Sequence, residues 1–271
     1  RNKILSIKEG LNEIVYSSQS GYSGATVTMK LIPGEAYGNL YGTHYLRYYG
    51  TDAQDPLRTD LSRPIVIGAN GFPVRAPLAS QKLLGNSQPD WIGGITNTFK
   101  YKNFALTTII DARFGLEKYN QLENWYAAFG IADYTTDRRD FRVFDGVLAD
   151  GSPNTKSVWL GQGVGPDGVN YTEGYYRNSY RTVSENFVQD ASFVKLRTVD
   201  LSYTLPAKWL PSKVLKRATV SATANNIILY TPFYGLDPES SSTNSGSNVD
   251  GFAGFTYPGA RTFLFSLNVG F

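Results

Sequence analysis

The last eleven residues, RTFLFSLNVGF (Arg261–Phe271), alternate in a way that bears directly on the fold. From Phe263 onward the odd positions are all apolar and carry Phe263, Phe265, Leu267, Val269 and Phe271. The even positions between them carry Leu264, Ser266, Asn268 and Gly270. A period of two is typical of a β-strand with one apolar face. In water such a segment would fray and expose its aromatic groups, so the pattern indicates a strand in a less polar environment.

The composition excludes several classes of chemistry. The 271 residues include no Cys, which excludes disulfides, thiolate metal sites and cysteine nucleophiles. The single His (His44) is the only imidazole available to a catalytic triad, and we find no nucleophile elbow, P-loop, zinc or paired-acid motif. The sequence therefore predicts no enzyme and no cofactor. A formal net charge of +3 without a run of Lys or Arg argues against nucleic-acid binding.

Strand-like alternation recurs in segments that precede the last one. GITNTFKY (94–101) and FALTTIIDAR (104–113) predict a hairpin with a tight turn at Lys102-Asn103. FVKLRTVDLSYTLP (193–206) and ATVSATANNIILY (218–230) predict a second pair of strands with one apolar and one polar face.

Two long segments, 115–189 and 231–258, break this alternation and are rich in Gly, Asn, Asp and Tyr. The first predicts a short helix around Asn120 to Phe129. Long loops alternating with short turns are typical of an outer-membrane β-barrel, which would make both segments extracellular. A soluble β-sandwich is the alternative, and the polar residues on the second face make it the less favoured one.

In a barrel, the apolar strand faces contact lipid and the polar faces line the lumen. The predicted lipid-facing residues are Val199, Leu201, Tyr203, Leu205, Phe263, Phe265, Leu267 and Val269. The predicted lumen-facing residues are Thr198, Asp200, Ser202, Ser266 and Asn268. Tyr101, Tyr203 and Tyr230 lie near predicted strand ends, where an aromatic girdle is expected.

Several blocks, taken in order along the whole chain, resemble the SusC/RagA family of TonB-dependent outer-membrane transporters of Bacteroidetes. The blocks are GEAYGNLYGTHYLR (34–47), IGANGFPV (67–74), GNSQPDWIGGITNTFKYKNFALTTIIDARFG (85–115), ASFVKLRTVDLSYTLP (191–206), ATANNIILYTPFYGLDPES (222–240) and YPGARTFLFSLNVGF (257–271). A terminal Phe after alternating apolar residues also resembles the assembly signal of such barrels, which assigns that role to Phe271.

The resemblance implies an all-β fold, in which residues 1–271 form the C-terminal strands of an antiparallel transmembrane barrel of about 22 strands with long extracellular loops. It places the signal peptide, TonB box and plug outside this chain. Because lipid cannot satisfy an open sheet edge, we expect the chain to pair with the remaining N-terminal part of the transporter. Residues Lys3 to Ile7 are then expected to form the first strand.

The function implied by the resemblance is uptake of oligosaccharides or peptides across the bacterial outer membrane. The implied partners are a SusD-like surface lipoprotein that covers the barrel, the TonB–ExbB–ExbD system acting through the N-terminal part, and outer-membrane lipid. Two alternatives stay open: a SusC-like barrel acting as an assembly subunit without import, and an independent small porin or adhesin.

Aromatic clusters give the candidate ligand site. Tyr41, His44 and Tyr45 lie close together in the sequence, as do Tyr175 and Tyr176, and such rings stack on sugars while their polar atoms form hydrogen bonds.

Charged residues suggest two further hypotheses. Asp237 and Glu239, with Asp250 downstream, are compatible either with a calcium cluster or with a proline-fixed turn, and no complete ligand loop supports the former. Polar strand faces also carry charged residues that predict either a lumen network or plug contact, or simple solvation: Asp111, Arg113, Lys195, Arg197 and Asp200.

Overall fold

The computed structural model describes residues 2–211, 214–235, 237–242 and 249–271. The strands within these ranges are, in chain order, β1 (Ile14–Ser20), β2 (Thr26–Leu31), β3 (Asn39–Gly42), β4 (Lys82–Asn86), β5 (Trp91–Tyr101), β6 (Phe104–Phe114), β7 (Glu117–Asn120), β8 (Phe141–Val143), β9 (Ser157–Trp159), β10 (Val188–Asp190), β11 (Phe193–Thr204), β12 (Arg217–Tyr230), β13 (Phe252–Ala253) and β14 (Thr262–Gly270). The α-helices are α1 (Gln121–Phe129) and α2 (Gly174–Asn178). Among the described residues, no helix is both long enough and apolar enough to cross a membrane.

The chain divides into two compact units, which we call the sheet unit and the loop unit. The sheet unit consists of Pro89–Leu116, Ala191–Ser240 and Tyr257–Phe271. The loop unit consists of Arg1–Gln88, Glu117–Asp190 and Ser241–Thr256.

The sheet unit is one antiparallel sheet of five long strands in the order β14-β12-β11-β6-β5. The predicted hairpin is confirmed: β5 and β6 pair from Trp91↔Phe114 to Tyr101↔Phe104. Lys102 occupies the turn with a φ of 52°, in the left-handed region that tight hairpin turns require.

A β-bulge in β11 changes which side chains share a face. Relative to β6, the pairing passes from Leu196↔Ile110 directly to Thr198↔Ile109, so Arg197 is an additional residue. Because side chains alternate along a strand, one extra residue moves the following ones to the opposite face. Leu196 and Leu201 are separated by an odd number of positions, which in a regular strand would place them on opposite faces. With the extra residue they share the apolar face.

The loop unit contains the remaining strands and the two helices. Strands β1 to β4 form an antiparallel sheet, β7 lies between β10 and β13, and β8 pairs with β9. Two separate groups of buried apolar side chains hold these elements together. The first contains Val27, Met29, Leu40, Tyr119, Ala127, Phe187 and Phe252, and the second Ile67, Phe144, Val158, Leu160, Tyr175 and Tyr176.

The predicted helix is confirmed, and its ends have clear local causes. The Asn120 side chain caps the helix by accepting a hydrogen bond from the Glu123 amide at 3.1 Å. Gly130 ends the helix in the left-handed conformation, with a φ of 67°.

The prediction of a strand at Lys3 to Ile7 is wrong. This segment has no strand assignment, and the first strand begins at Ile14. Ile4 instead exchanges backbone hydrogen bonds with the 34–35 turn: its amide donates to Glu35 O at 2.9 Å, and Gly34 N donates to Ile4 O at 2.8 Å. Alternation over five residues was too short to distinguish a ladder strand from an extended segment held at one point.

Candidate functional site

The five-stranded sheet has one continuous apolar face. Residues directly opposite one another in a ladder project to the same side, so the register aligns side chains across the five strands. One row contains Phe265, Ala222, Leu201, Leu106 and Phe99, and the next contains Leu267, Val220, Tyr203, Phe104 and Tyr101. Many of these side chains are exposed, including Leu201 at 47%, Phe99 at 62% and Phe265 at 84%.

The predicted lipid-facing residues follow this register. Val199, Leu201 and Tyr203 pair opposite Ala224, Ala222 and Val220, which in turn pair opposite Phe263, Phe265 and Leu267. Val269 continues the series opposite Ala218. Leu205 lies beyond the end of β11, where its amide donates to Ala218 O at 2.9 Å. The shared apolar face is thus established, while its contact with lipid stays a prediction, as does the role of Phe271 after β14.

The opposite face of the sheet is polar. One row contains Ser266, Ser221, Ser202, Ala105 and Lys100, and another contains Leu264, Thr223, Asp200, Thr107 and Thr98. Asp200 accepts a hydrogen bond from the Thr223 hydroxyl. Thr98 and Thr107 hydroxyls lie 3.0 Å apart across the β5–β6 pair.

Aromatic side chains mark both ends of the apolar face. At one end the Phe104 and Tyr203 rings lie 4.5 Å apart, and Tyr101 ends β5 beside them. At the other end the Trp91 and Phe114 rings lie 5.6 Å apart. Aromatic residues are enriched at both lipid–water interfaces of membrane barrels.

The polar face carries a cluster of charged side chains in the sheet unit, which we call the ion cluster. Lys195 Nζ lies 2.7 Å from Asp237 Oδ2 and 2.6 Å from Glu239 Oε2. Arg197 Nη2 lies 2.7 Å from Asp111 Oδ2 and also donates to Glu239 Oε1.

The ion cluster is completed by Arg113, whose guanidinium lies 3.9 Å from Glu239 Oε1. Three cations therefore balance three carboxylates: Lys195, Arg197 and Arg113 against Asp111, Asp237 and Glu239. Four of the five charged residues predicted on polar strand faces meet here, and Asp200 does not. Lys195 and Arg197 are two positions apart, so ordinary alternation places both on the polar face, together with the β6 residues Asp111 and Arg113.

The contacts of Asp237 and Asp250 distinguish a calcium cluster from a turn at residues 237–239. Asp237 Oδ1 accepts from the Glu239 amide at 3.0 Å, as in a local side-chain turn. Asp250 is paired instead with Lys118, which belongs to the loop unit. Across the described residues, no group of three or more His, Cys, Asp or Glu side chains is arranged to hold a metal ion. The geometry favours the turn.

Three of the five predicted ligand-site residues come together in the loop unit. The Tyr175 ring lies 5.1 Å from that of Tyr176, and its hydroxyl lies near that of Tyr45. All three side chains are buried. Burial raises the pKa of Tyr45 and of Tyr175, so both phenols are neutral at physiological pH.

Tyr41 and His44 are also buried but make other contacts. The Tyr41 hydroxyl accepts from Asn39 Nδ2 at 3.2 Å. His44 places Nδ1 2.8 Å from Tyr45 O and Nε2 3.0 Å from Ser80 O. A role of any of the five in ligand contact stays a prediction, since all five side chains are buried.

Two open cavities in the loop unit have lining residues that include Tyr175 or Tyr176. One cavity, of about 360 Å³, is lined by Tyr175 together with Phe72, Asn70, Asp167, Asn170 and Tyr171. The other, of about 410 Å³, is lined by Tyr176 and by three arginines, Arg138, Arg139 and Arg177. Sequence reasoning missed these arginines, although the run DRRD (Asp137–Asp140) was a visible sign of concentrated charge.

Sequence reasoning also missed Glu123, a buried carboxylic acid in α1. Its side chain accepts a hydrogen bond from the Gln189 amide. The pKa of Glu123 is raised to about 7, chiefly by burial; the Gln189 hydrogen bond opposes this rise and the nearby charge of Asp133 adds to it. Its position in the first turn of a helix resembles an ordinary capping residue, so the sequence contains no sign of its burial.

Comparisons with known proteins agree on one kind of relative. No protein-family model matches the chain. TonB-dependent receptor P3 of Formosa agariphila is 26% identical over 292 aligned residues, covering all of this chain and 26% of the receptor. TonB-dependent receptor P26 of the same organism is 30% identical over 193 residues, covering 70% of this chain and 18% of the receptor. The chain thus spans about a quarter or less of the length of these curated relatives.

Comparison with solved structures supports the same fold. One similar structure is the RagAB peptide importer in its open-open state, with a TM-score of 0.56 and 17% identity. The match covers 99% of this chain and 25% of the importer chain. Another is a structure of the RagAB peptide transporter, with a TM-score of 0.58 and 16% identity, and the match covers 98% of this chain and 26% of the transporter chain. The predicted fold class, strands of a partial antiparallel barrel, is confirmed by this likeness.

Proposed function

We propose, from the premise that this chain belongs to the TonB-dependent receptors, that its five-stranded sheet is part of the wall of an outer-membrane import barrel. The proposal places the apolar face of the sheet against lipid and the polar face toward the lumen. Residues 1–271 are then a C-terminal part of the barrel domain.

The observation that carries the proposal is the dimension of the apolar face. Between its aromatic ends, β6 runs from Phe104 to Phe114. At about 3.3 Å per residue this spans roughly 33 Å along the strand. With the usual tilt of about 40°, it covers roughly 25 Å along the membrane normal, the height of the apolar band of an outer-membrane barrel.

The polar face supports a solvated lumen rather than a second protein layer. Its rows consist mainly of Ser and Thr with Lys100 and Asp200, and the ion cluster lies on the same side. A sandwich would need an apolar face there to bury. A water-filled or plug-filled lumen accepts these side chains without cost.

The partners we propose come from the same family likeness. The RagAB structures are described as a peptide importer, and this chain matches them over nearly its whole length. We propose a SusD-like surface lipoprotein as the partner at the extracellular side. The energy source would be TonB–ExbB–ExbD, acting through a part of the receptor outside this chain.

The cargo we propose is an oligosaccharide or a peptide, taken up without chemical change. Relatives named as receptors and importers favour transport over catalysis. The test compares the parent strain, a deletion strain and a complemented strain that carries the whole gene. Each is grown on a mixture of oligosaccharides and peptides, and depletion of the medium is followed by mass spectrometry.

We expect at least one solute class to be depleted by the parent and complemented strains and to persist with the deletion strain. Loss of TonB in the parent background should reproduce the deletion. Equal depletion in all strains, with the protein present in the outer membrane, would contradict import and favour the assembly-subunit alternative.

A further inference from the structure

We propose that the arginine-lined cavity of the loop unit binds the carboxylate of an acidic sugar unit. The cavity of about 410 Å³ lies within the roughly 300–1,000 Å³ range of small-molecule sites. It is formed between the end of α1, the end of β9 and the start of α2. The proposal concerns binding alone and does not depend on import.

The first cation of the cavity, Arg138, is held by the end of α1. Its Nη1 donates to Gly130 O at 2.9 Å, at the helix C-terminus where a positive charge is favourable. A Cβ at position 130 would lie 1.8 Å from this nitrogen, so only glycine permits the approach. A guanidinium has five N–H donors, so most of the Arg138 donors remain available to a ligand.

The second cation, Arg139, is exposed and has no ion-pair or side-chain hydrogen-bond partner within the described ranges. Its backbone is fixed, because the Trp159 indole donates to Arg139 O at 2.9 Å. That bond also orients the Trp159 side chain, which lines the same cavity.

The positive charge of the third cation, Arg177, is already paired with a carboxylate. Arg177 lies 3.1 Å from the Glu173 carboxylate and donates to the Tyr22 hydroxyl at 2.9 Å. Glu173 is the only acidic residue described in the lining. Two guanidinium groups, those of Arg138 and Arg139, are therefore left without an acidic partner there, and each can bind a carboxylate with two parallel hydrogen bonds.

The lining favours a sugar over a peptide as the bearer of the carboxylate. Trp159 and Tyr176 offer aromatic surface for the apolar faces of a pyranose ring, and Gln162 offers an amide for its hydroxyl groups. A peptide bound as an added strand would need unpaired backbone groups in the wall. Leu160 has none to offer, since its amide donates to Asp140 O and its carbonyl accepts from Tyr175 N.

The test uses the intact receptor purified in detergent and a trimer of α-1,4-linked galacturonate as the probe. We expect binding by calorimetry that weakens as salt is added, because the attraction is partly between charges. The double variant Arg138→Gln/Arg139→Gln should raise the Kd about tenfold or more. Arg63→Gln, which removes a partly buried, ion-paired cation elsewhere in the loop unit, should leave the Kd unchanged.

Two further measurements make the outcome specific. Binding should change the tryptophan fluorescence of the parent protein, and Trp159→Phe should abolish most of that change. Maltotriose, which is neutral, should not bind at this site. The proposal is overturned if the galacturonate trimer does not bind, if the double variant binds it as well as the Arg63→Gln control, or if an acidic peptide binds in its place with the same arginine dependence.

Discussion

Lys195 Nζ lies 2.7 Å from Asp237 Oδ2 although the two residues are 42 positions apart, and both side chains are almost completely buried. The pair joins the segment after β12 to the polar face of β11. Buried charges depend strongly on their partners, because removing one partner leaves the other charged and desolvated.

Lys195→Met should therefore weaken the sheet unit considerably. Asp237 would lose its counter-charge, and Glu239 would retain only Arg197 and Arg113. We expect a cost of about 3–5 kcal/mol and faster proteolysis within residues 231–240 of the receptor in detergent. The double variant Lys195→Met/Asp237→Leu should recover part of the protease resistance. Equal cleavage rates in the parent and both variants would show that the ion cluster does not hold this segment.

The two faces of β11 can be tested with neighbouring residues. Leu201→Arg places a charge on the apolar face and should cost about 2–4 kcal/mol near the middle of the membrane. Ser202→Arg, one position along the strand, places the same charge on the face that carries Lys100 and should be tolerated. The fraction of receptor that migrates as a folded barrel on unheated gels measures both. Similar folding of the two variants would contradict the assignment of lipid to one face.

Long alternating segments were the part of the fold that the sequence predicted best. The hairpin at Lys102 and strands β11, β12 and β14 follow from period-two patterns that extend over nine or more residues. In each of them hydrophobicity and β-propensity favour the same structure. The alternation at Lys3 to Ile7 was misleading, because five residues are too few to distinguish a paired strand from an extended segment.

The bulge at Arg197 could not be predicted from the pattern alone, and the pattern left open whether the charged residues of the polar faces form a network or are simply solvated. An extra residue in a strand leaves the local composition unchanged and becomes visible only when the strand is aligned with its neighbour. The packing of Tyr45 against Tyr175 is a contact across 130 positions of sequence within the loop unit. Nothing in a tyrosine-rich sequence indicates which of 19 tyrosines are buried.

The tip of the small hairpin within residues 163–171 is a candidate contact for the proposed lipoprotein partner. Gly163 N donates to Thr172 O at 2.9 Å, Tyr171 N donates to Gly163 O at 2.7 Å, and residues 166 to 170 are exposed. Deleting residues 166–169 should reduce co-purification of the partner severalfold while the barrel remains inserted. Deleting residues 51–54, an exposed segment of equal length, should have no such effect. Unchanged recovery of the partner after the first deletion would argue against this contact.

The burial of Glu123 makes the stability of α1 depend on pH. A raised pKa means that the folded state prefers the protonated acid more strongly than the unfolded chain does. The stabilisation is then complete below the ordinary pKa of 4.5 and is lost as the pH rises through about 7. The difference of roughly 2.5 pKa units corresponds to at most about 3 kcal/mol.

The free energy of opening α1 should thus fall between pH 5 and pH 8, and amide hydrogen exchange of α1, corrected for its intrinsic pH dependence, measures this fall. Glu123→Gln keeps an acceptor for Gln189 but cannot ionise, so its opening free energy should be nearly flat over the same range and should exceed that of the parent at pH 8. Glu173→Gln removes an exposed carboxylate from the same unit and should retain the parent slope. A slope that persists in Glu123→Gln would assign the pH dependence to another group, and a flat parent profile would show that the Glu123 carboxylate stays ionised in the folded protein.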